Sequence, residues 1–587
     1  MEGHTQARPL VAAWRQRHPT SRTAGWIRLV APALALVAAL LYLLLAVRAD
    51  APAEGEYRYE ILVARHGLVA LFALGAVVSW RFGILGASVM AFAAAVLGSL
   101  HASDHSPSSA FAVTVVFLVP AVGLWVDWQR RRPAAPVVVV AGVFAVAFLG
   151  AGWGADRVNA HFYGPTHPDS YAAIEPVDVI EWSWVGAVGV DGATVTARLA
   201  ADAGQVRLVV ATDGGFTDPL AGTPVAVTAD DAGVVRLVIT GLEPATTYRF
   251  AIEVDGHLDR GRRGSFTTIP DGPASFSFAL ASCARVGTNG AVFDAIRDAQ
   301  PLFFLVTGDL HYTNIATRDV DKFADAFDTL LEAPGPSLLF RRVPVDYVWD
   351  DHDFGGNDSD STSAAAPAAQ EAYRRLVPSY DLPATDSIEH AFTVGRVRFV
   401  ATDTRSHRTP ADEPDGEGKT MLGAEQLAWL FDQFDAAAAA GEFVVWIQPD
   451  PWIAEPTDGA DHWGGYSTER RRIADHIAAL GLADRLLMVS GDAHMLAFDD
   501  GTNSDYSTDG GAGFAVFHAA ALDRPGMTKG GPYSGGAVPG GGQFGLVHVE
   551  DHGDHLTLRL EGRRWNGEIV LDHTLVVPMP SEVGDAS

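Results

Sequence analysis

VDYVWDDHDFGGND, residues 345–358, joins an apolar run to a cluster of charge. Val345, Tyr347, Val348 and Trp349 read as a buried strand, and that strand stops at Asp350, Asp351, His352 and Asp353. Three carboxylates and an imidazole so close together repel one another and lose hydration when buried. Their pKa values are driven apart unless a metal ion or a proton in transit accounts for them. A solvated acidic loop is the bland alternative, but the same design recurs elsewhere in the chain.

From Phe276 onward strand, loop and helix patterns repeat, with apolar strands at Phe276–Ala281, Phe303–Thr307, Val345–Trp349, Val397–Ala401, Phe443–Ile447 and Leu486–Ser490. Helical patterns lie between them, at Asp319–Glu332 and Gly423–Ala440, and Pro334, Gly335 and Pro336 predict a loop. The tail beyond Gly513 returns to strands, so the region is a layered α/β or α+β domain. Five of the strands end in chemistry: at Cys283, at Asp309 with Tyr312, at Asp350–Asp353, at Asp403 with Arg405, and at Asp492 with His494. Beyond the carboxyl ends of strands is where ligand sites gather in open sheets. Carboxylates suit a hard ion such as calcium or manganese, whereas thiolate, phenolate and imidazole suit iron or zinc. A carboxylate shared between two such ions makes a dinuclear site.

Composition bounds the rest. The 587 residues allow several domains, and a formal net charge of −29 argues against a nucleic-acid binder. Cys283 is the only cysteine, which excludes an intramolecular disulfide and a CxxC zinc site. Residues 1–28 are basic, with Arg8, Arg15, Arg17, Arg22 and Arg28. Over 29–155 come apolar segments at Leu29–Val47, Gly67–Trp80 (extended back to Ile61), Phe82–Leu100, Ala110–Val126 and Pro136–Trp153, read as about five membrane spans. Arg130, Arg131 and Arg132 and the basic N-terminus predict a cytoplasmic N-terminus, placing everything after Trp153 outside. The expectation is a multi-pass membrane protein with its catalytic region on the extracytoplasmic side. Residues 170–270 read as a β-sandwich of the immunoglobulin or fibronectin kind. Its strands fall at Thr194–Leu199, Val206–Ala211, Val234–Thr240 and Tyr248–Val254, with a tyrosine-corner pattern at Leu242–Tyr248.

With these residues in view the chain resembles the PhoD-like alkaline phosphatases, a branch of the calcineurin-like metallophosphoesterases. The matching motifs are SC at 282–283, GDxxY at 308–312, WDDHDxxxND at 349–358, DTRxxR at 403–408, MLGxEQxxWL at 421–430, SGDAH at 490–494 and QFG at 543–545. The resemblance covers about 170–575, the β-sandwich included, and leaves out the apolar N-terminal segments. The resemblance implies a four-layer αββα metallophosphatase domain over 274–575 that holds Fe3+ and Ca2+. It assigns iron to Cys283, Asp309, Tyr312 and His494, with Asp309 bridging. Calcium falls to Asp351, with Asp350, and to Asp492, with Asn357 as a further candidate. His352 takes the place of the proton donor to the leaving group. Arg405 is the natural phosphate clamp, because a guanidinium matches phosphate oxygens in pairs. Asp353 and Asp403 are candidates for the metal or its surroundings, and Asp403 could orient Arg405 without touching metal. The chain departs from the family at His311 and Thr313, beside the tyrosine, and at WGGY, 463–466. His311, His407, His462, His552 and His555 read as loop or surface histidines.

The implied activity is a membrane-anchored phosphoesterase acting on phosphomonoesters or phosphodiesters through a metal-activated hydroxide. Outside the cell a free thiol oxidises, and coordination is a reason for keeping Cys283 there. The contrasting possibility is a polytopic membrane sensor or scaffold whose phosphatase-like domain binds a phosphorylated ligand without turnover. The intact ligand set and His352 favour the enzyme.

Overall fold

The computed structural model describes residues 23–49, 59–102, 107–131, 160, 163–164, 179–200, 204–227 and 233–580. The chain divides into an N-terminal helical unit and a unit made essentially of residues 160–587.

The N-terminal unit contains helices Thr23–Ala49, Tyr59–Ser79, Gly83–Ala102 and Pro107–Arg131. Val69, Phe72, Met90 and Phe117 are buried between them, while Leu29, Leu34, Leu40, Leu74, Phe82 and Leu85 point outward with more than half of their surface exposed. Among the described residues no helix is long and apolar enough to cross a membrane. The expected fifth segment, Pro136–Trp153, and most of the basic N-terminus lie outside the described residues.

In the second unit the apolar strands assemble into two large sheets. The nine-stranded sheet runs Ile569–Pro578, His555–Arg564, Gln543–Asp551, Phe276–Ala281, Phe303–Thr307, Val345–Val348, Ile180–Gly186, Gly192–Leu199, Val234–Thr240. The seven-stranded sheet runs His390–Val394, Val397–Ala401, Phe443–Ile447, Leu486–Ser490, Ala515–Ala519, Met495–Asp499, Ala537–Pro539. Strands 276–281, 303–307 and 345–348 are parallel to one another, as are 397–401, 443–447 and 486–490. All six therefore deliver their carboxyl ends in register with their sheet neighbours.

Side-chain alternation makes the layers. Val445, Ile447, Leu487 and Val489 face the nine-stranded sheet, and Phe399 of the same seven-stranded sheet packs there on Phe278 and Phe303, the three ring centroids 5.2–5.5 Å apart. Val444, Trp446, Leu486 and Met488 face the other way, onto helices Ala424–Ala440 and Ser467–Leu480 through Leu430, Phe434, Ile473 and Ile477. Helices Val320–Glu332 and Ala366–Leu376 cover the far side of the nine-stranded sheet. The four-layer expectation describes this arrangement. One local expectation fails: residues 334–340 are a helix, Pro334–Phe340, and not a loop, because a proline at the first helical position is compatible with the turn it opens.

The 170–270 stretch differs in a more consequential way. It does form two facing sheets, and the Tyr248 hydroxyl accepts from the Glu243 backbone N–H at 3.0 Å, which closes the tyrosine corner. Its strand Ile180–Gly186, however, pairs in parallel with Val345–Val348 and so extends the nine-stranded sheet. Ile180–Gly186 carries Trp182, Trp184 and Val185, all fully buried. Burial on both faces is what a strand inside a continuous sheet requires, and a free-standing sandwich would leave one face to solvent.

Candidate metal centre

The strand ends converge because two glycines let them. Gly308 has φ +93, and a Cβ there would stand 2.5 Å from the Asp350 Cβ. A Cβ on Gly491 would meet the Thr307 carbonyl and the Ser282 hydroxyl, both at 2.4 Å. With those approaches open, Cys283, Asp309 and His494 offer ligand atoms that lie within 4.8 Å of one another. The Tyr312 hydroxyl joins them, donating to Asp309 Oδ2 at 2.6 Å and standing 2.9 Å from His494 Nε2. Cys283 Sγ is 3.8 Å from that same Asp309 oxygen. His494 is oriented by the Pro525 carbonyl, 2.9 Å from its Nδ1, which turns Nε2 to the cluster.

Backbone strain gathers at the same place. Cys283, Asp309, Asn314, Asp358, Asp492 and His494 all have positive φ, between 42° and 62°. Such conformations persist where the surroundings impose them, and they concentrate at functional sites.

Two further groups of carboxylates adjoin the first. Asp309, Asp351 and His352 form one, and Asp351, Asp358 and Asp461 the other, again within 4.8 Å. Asp351 is fixed by backbone N–H groups: that of His352 at 2.8 Å on Oδ1 and that of Asp358 at 2.6 Å on Oδ2. The His352 ring lies 4.0 Å from the Tyr312 ring, and its Nδ1 is 2.5 Å from Asn314 Oδ1.

The electrostatics of the cluster call for cations. Burial first, then the charge of Asp309, pushes the Cys283 thiol well above its usual range. Tyr312 rises for the same two reasons. Burial followed by Asp351 and Asp353 raises Asp309, and burial lifts Asp492 to about 6 against the pull of Lys529. Without a metal, protons must occupy these donors; with one, the donors can ionise. The thiol, phenol, imidazole and carboxylate set suits a transition metal, and the oxygen-only set at Asp351, Asp358 and Asp461 suits a harder cation. The residues present fit a metal pair.

Several sequence-predicted residues stand elsewhere. Arg405 is wholly buried, and all five of its N–H donors are committed. Nε meets Asp350 at 2.7 Å, Nη1 meets Asp461 at 3.0 Å and the Ser359 carbonyl at 3.3 Å, and Nη2 meets Asp450 at 3.2 Å and Asp461 at 3.1 Å. A guanidinium so saturated is not presented to a phosphate, which corrects its reading as the clamp. Asp350 accordingly faces Arg405 and belongs to none of the three ligand groups. Asp353 accepts from Leu310 N–H at 2.9 Å, Asp350 N–H at 2.6 Å and Tyr347 OH at 2.5 Å, so it ties the Asp309 loop to the 350 turn. Asp403 accepts from Trp349 Nε1 at 2.9 Å and from the Arg405 and Ser406 N–H groups at 2.9 and 3.0 Å, and likewise braces the backbone. Asn357 is exposed, and it is its neighbour Asp358 that joins Asp351. His311 is no loop-surface residue: it is 2% exposed, its ring packs on Phe327 at 5.8 Å, and burial pushes its pKa down to about 4.

Asp461, Asp450 and Asn314 were not legible as site residues. Asp461 falls in a loop without a strand-end pattern, whereas Asp450 stands three residues past the strand Phe443–Ile447; the proximity of both to Arg405 and Arg408 is what reveals them. Asn314 carried one faint signal, a residue type tolerant of positive φ two positions after Tyr312.

Comparison with known proteins bears on this geometry. Residues 278–537 match the family model of PhoD-like phosphatases. The chain is 26% identical over 312 residues to alkaline phosphatase D of Bacillus subtilis (strain 168), a match covering 44% of this chain and 53% of that protein. It therefore spans about half the length of that curated relative. A solved structure of PhoD superposes with a TM-score of 0.52 at 17% identity, covering 66% of this chain and 91% of the other. A purple acid phosphatase from yellow lupin (Lupinus luteus) seeds follows at TM-score 0.47 and 12% identity, covering 67% and 73%. Residues 278–537, which include Cys283, Asp309, Tyr312 and His494, are thus similar to the PhoD-like phosphatases.

Proposed function

We propose that the chain is a metal-dependent phosphoesterase hydrolysing phosphomonoesters, phosphodiesters or both, with Fe3+ and Ca2+ as its metals. The observation that carries this reading is the convergence of Cys283, Asp309, Tyr312 and His494 beside a histidine held in a proton-donating pose. Cys283, Asp309, Tyr312 and His494 would hold the iron, and Asp351 with Asp309 and Asp492 the calcium. Asp358 and Asp461 stand near enough to Asp351 to contribute. A metal pair here supplies a nucleophile at neutral pH and neutralises charge on the phosphorus oxygens.

The chain's own part is proton delivery. With Nδ1–H donated to Asn314 Oδ1, the His352 ring is fixed and its Nε2 carries the transferable proton. Burial lowers the His352 pKa, Asp351 counters from 4.0 Å, and the balance yields an acid that gives its proton up readily to a leaving oxygen. Asp353 and Asp403 keep the two loops in register. A phosphate-binding scaffold without turnover would have no use for this donor.

The test is metal analysis of the purified chain alongside hydrolysis of a nitrophenyl phosphomonoester and a bis-nitrophenyl diester. Iron with calcium and turnover of either ester are expected. A protein that takes up no metal when offered both would sink the catalytic reading and leave the binding scaffold in its place.

We propose further that the N-terminal unit anchors the enzyme in a membrane, with the phosphatase domain on the extracytoplasmic side. Support comes from the outward-facing Leu29, Leu34, Leu40, Leu74 and Leu85, since contiguous exposed apolar surface on helices seeks an apolar partner. Alkaline carbonate washing of membranes, on the full chain and on residues 165–587, checks it. Release of the full chain by the wash would refute anchoring.

A further inference from the structure

Resting on the phosphoesterase reading, we propose that Arg524 and Lys529, and not Arg405, receive the non-bridging oxygens of the substrate phosphate. Arg405 has no donor left to give, because Asp350, Asp450, Asp461 and the Ser359 carbonyl use all five. The acids around the centre, Asp309, Asp351, Asp358, Asp461 and Asp492, repel an anion, so recognition of a phosphate needs cations facing the same space.

The segment 523–531 brings two. The Arg524 guanidinium carbon lies 4.1 Å from the centroid of the Tyr312 ring, on which His352 also packs. Lys529 Nζ lies 2.7 Å from Asp492 Oδ1 and keeps 20% of its side chain open to solvent. The two cations therefore stand against Tyr312 and Asp492, which follow different strands of the two sheets.

This segment is held in place. At one end Asp523 accepts from the Arg285 N–H at 2.6 Å and from Arg285 Nε at 3.1 Å, and also from the Thr288 hydroxyl. At the other, the Gly531 N–H donates to the Ile453 carbonyl at 2.7 Å, and Tyr533 OH donates to the Lys529 carbonyl at 2.9 Å. Between them the Pro525 carbonyl orients His494. The segment that carries both cations thus also orients one donor of the metal centre, His494. A planar fork and a point charge offer complementary contacts to one phosphate group.

The probe is inorganic phosphate. Its equilibrium binding to the metal-loaded full chain is measured for wild type, Arg524→Gln, Lys529→Gln and the double variant, with metal content determined on each sample. Arg524→Lys and Lys529→Arg serve as charge-preserving variants. Loss of one charge-assisted contact should weaken phosphate binding about tenfold, and loss of both roughly a hundredfold. Metal content stays at the wild-type level, and the charge-preserving variants recover part of the affinity. The inference is overturned if the double variant binds phosphate within twofold of wild type, or if its loss of binding tracks loss of metal. The outcomes separate this inference from the enzymatic reading. Phosphate binding that needs both cations, in a protein that hydrolyses no ester, supports the inference while the hydrolase reading fails. A working hydrolase whose double variant keeps its phosphate affinity does the reverse.

Discussion

Replacing Arg405 by methionine tests whether this side chain serves the fold or the substrate. Three carboxylates meet its guanidinium, but they do not depend on it equally. Asp450 keeps Arg408 Nη1 at 3.0 Å, and Asp461 keeps Arg408 Nη2 at 2.8 Å. Asp350 has Arg405 at Oδ1, and its Oδ2 has no hydrogen-bond partner among the described residues. The substitution therefore orphans one wholly buried carboxylate, and breaking a buried pair from one side costs about 3–5 kcal/mol. At about 2 °C per kcal/mol, suited to a large domain, the melting temperature should fall roughly 6–10 °C. The loss has a predictable pH dependence. Burial already raises the Asp350 carboxyl, and Arg405 is what opposes that rise. Without Arg405 the group can take up a proton, so the penalty shrinks at acid pH and grows as pH rises through the carboxyl's raised folded value. Asp350→Asn in the Arg405→Met background removes the stranded charge and should restore part of the melting temperature. The assay is thermal unfolding followed by tryptophan fluorescence, since Trp349, Trp446, Trp452 and Trp463 are all buried close to this network. An Arg405→Met protein that melts like wild type but shows a tenfold higher KM would refute the reasoning, because that is how a phosphate clamp behaves.

Other outcomes follow from the same geometry. Tyr312→Phe should abolish a visible tyrosinate-to-iron absorption band, and an unchanged spectrum would remove Tyr312 from the metal. His352→Ala should lower kcat by about 10²–10⁴-fold with metal content intact, the usual range for loss of a general acid. Asn314→Ala should give a smaller fall, detectable as a shifted alkaline limb of the pH–rate profile, since a general acid must be protonated to act. In the metal-free protein Asp353 and Asp492 are each lifted to about 6, chiefly by burial. Raised carboxyl values stabilise the fold fully below the unfolded value near 3.9, and that stability is lost as pH rises to about 6, by about 2–3 kcal/mol per group. Chelator-treated protein should accordingly melt higher at pH 4.5 than at pH 7.5, metal uptake should strengthen with pH, and a flat profile would contradict both. Gly308→Ala sets a methyl 2.5 Å from the Asp350 Cβ at a φ of +93, and expression of a soluble, fully metallated variant would contradict that clash.

What could be read from the chain alone has a physical pattern. The six strands from Phe276 to Ser490 were legible because strands buried on both faces write themselves as unbroken apolar runs, and their ends were legible because charge interrupts those runs abruptly. Cys283, Asp309, Asp351 and His494 all lie within four residues of such an end and Tyr312 lies five beyond one, so adjacency in sequence stood in for adjacency in space. Arg405 obeys the same local rule and yet points to another environment. Which way a strand-end cation faces depends on Asp450 and Asp461, 45 and 56 residues further along the chain. Asp461 has no local pattern to announce it, and Asp450, three residues past Ile447, announces a strand-end carboxylate but not the cation it faces. The joining of Ile180–Gly186 to Val345–Val348 was hidden for a related reason, since a single strand's apolar pattern records that it is buried and not which sheet buries it. His311 shows the converse failure: a polar residue type inside a motif loop suggests solvent, but the packing of Phe323 and Phe327 over it excludes water. Donor identity is therefore a local property of this chain, whereas donor direction is set by partners far along it, and reassigning the phosphate contact from Arg405 to Arg524 and Lys529 follows from that distinction.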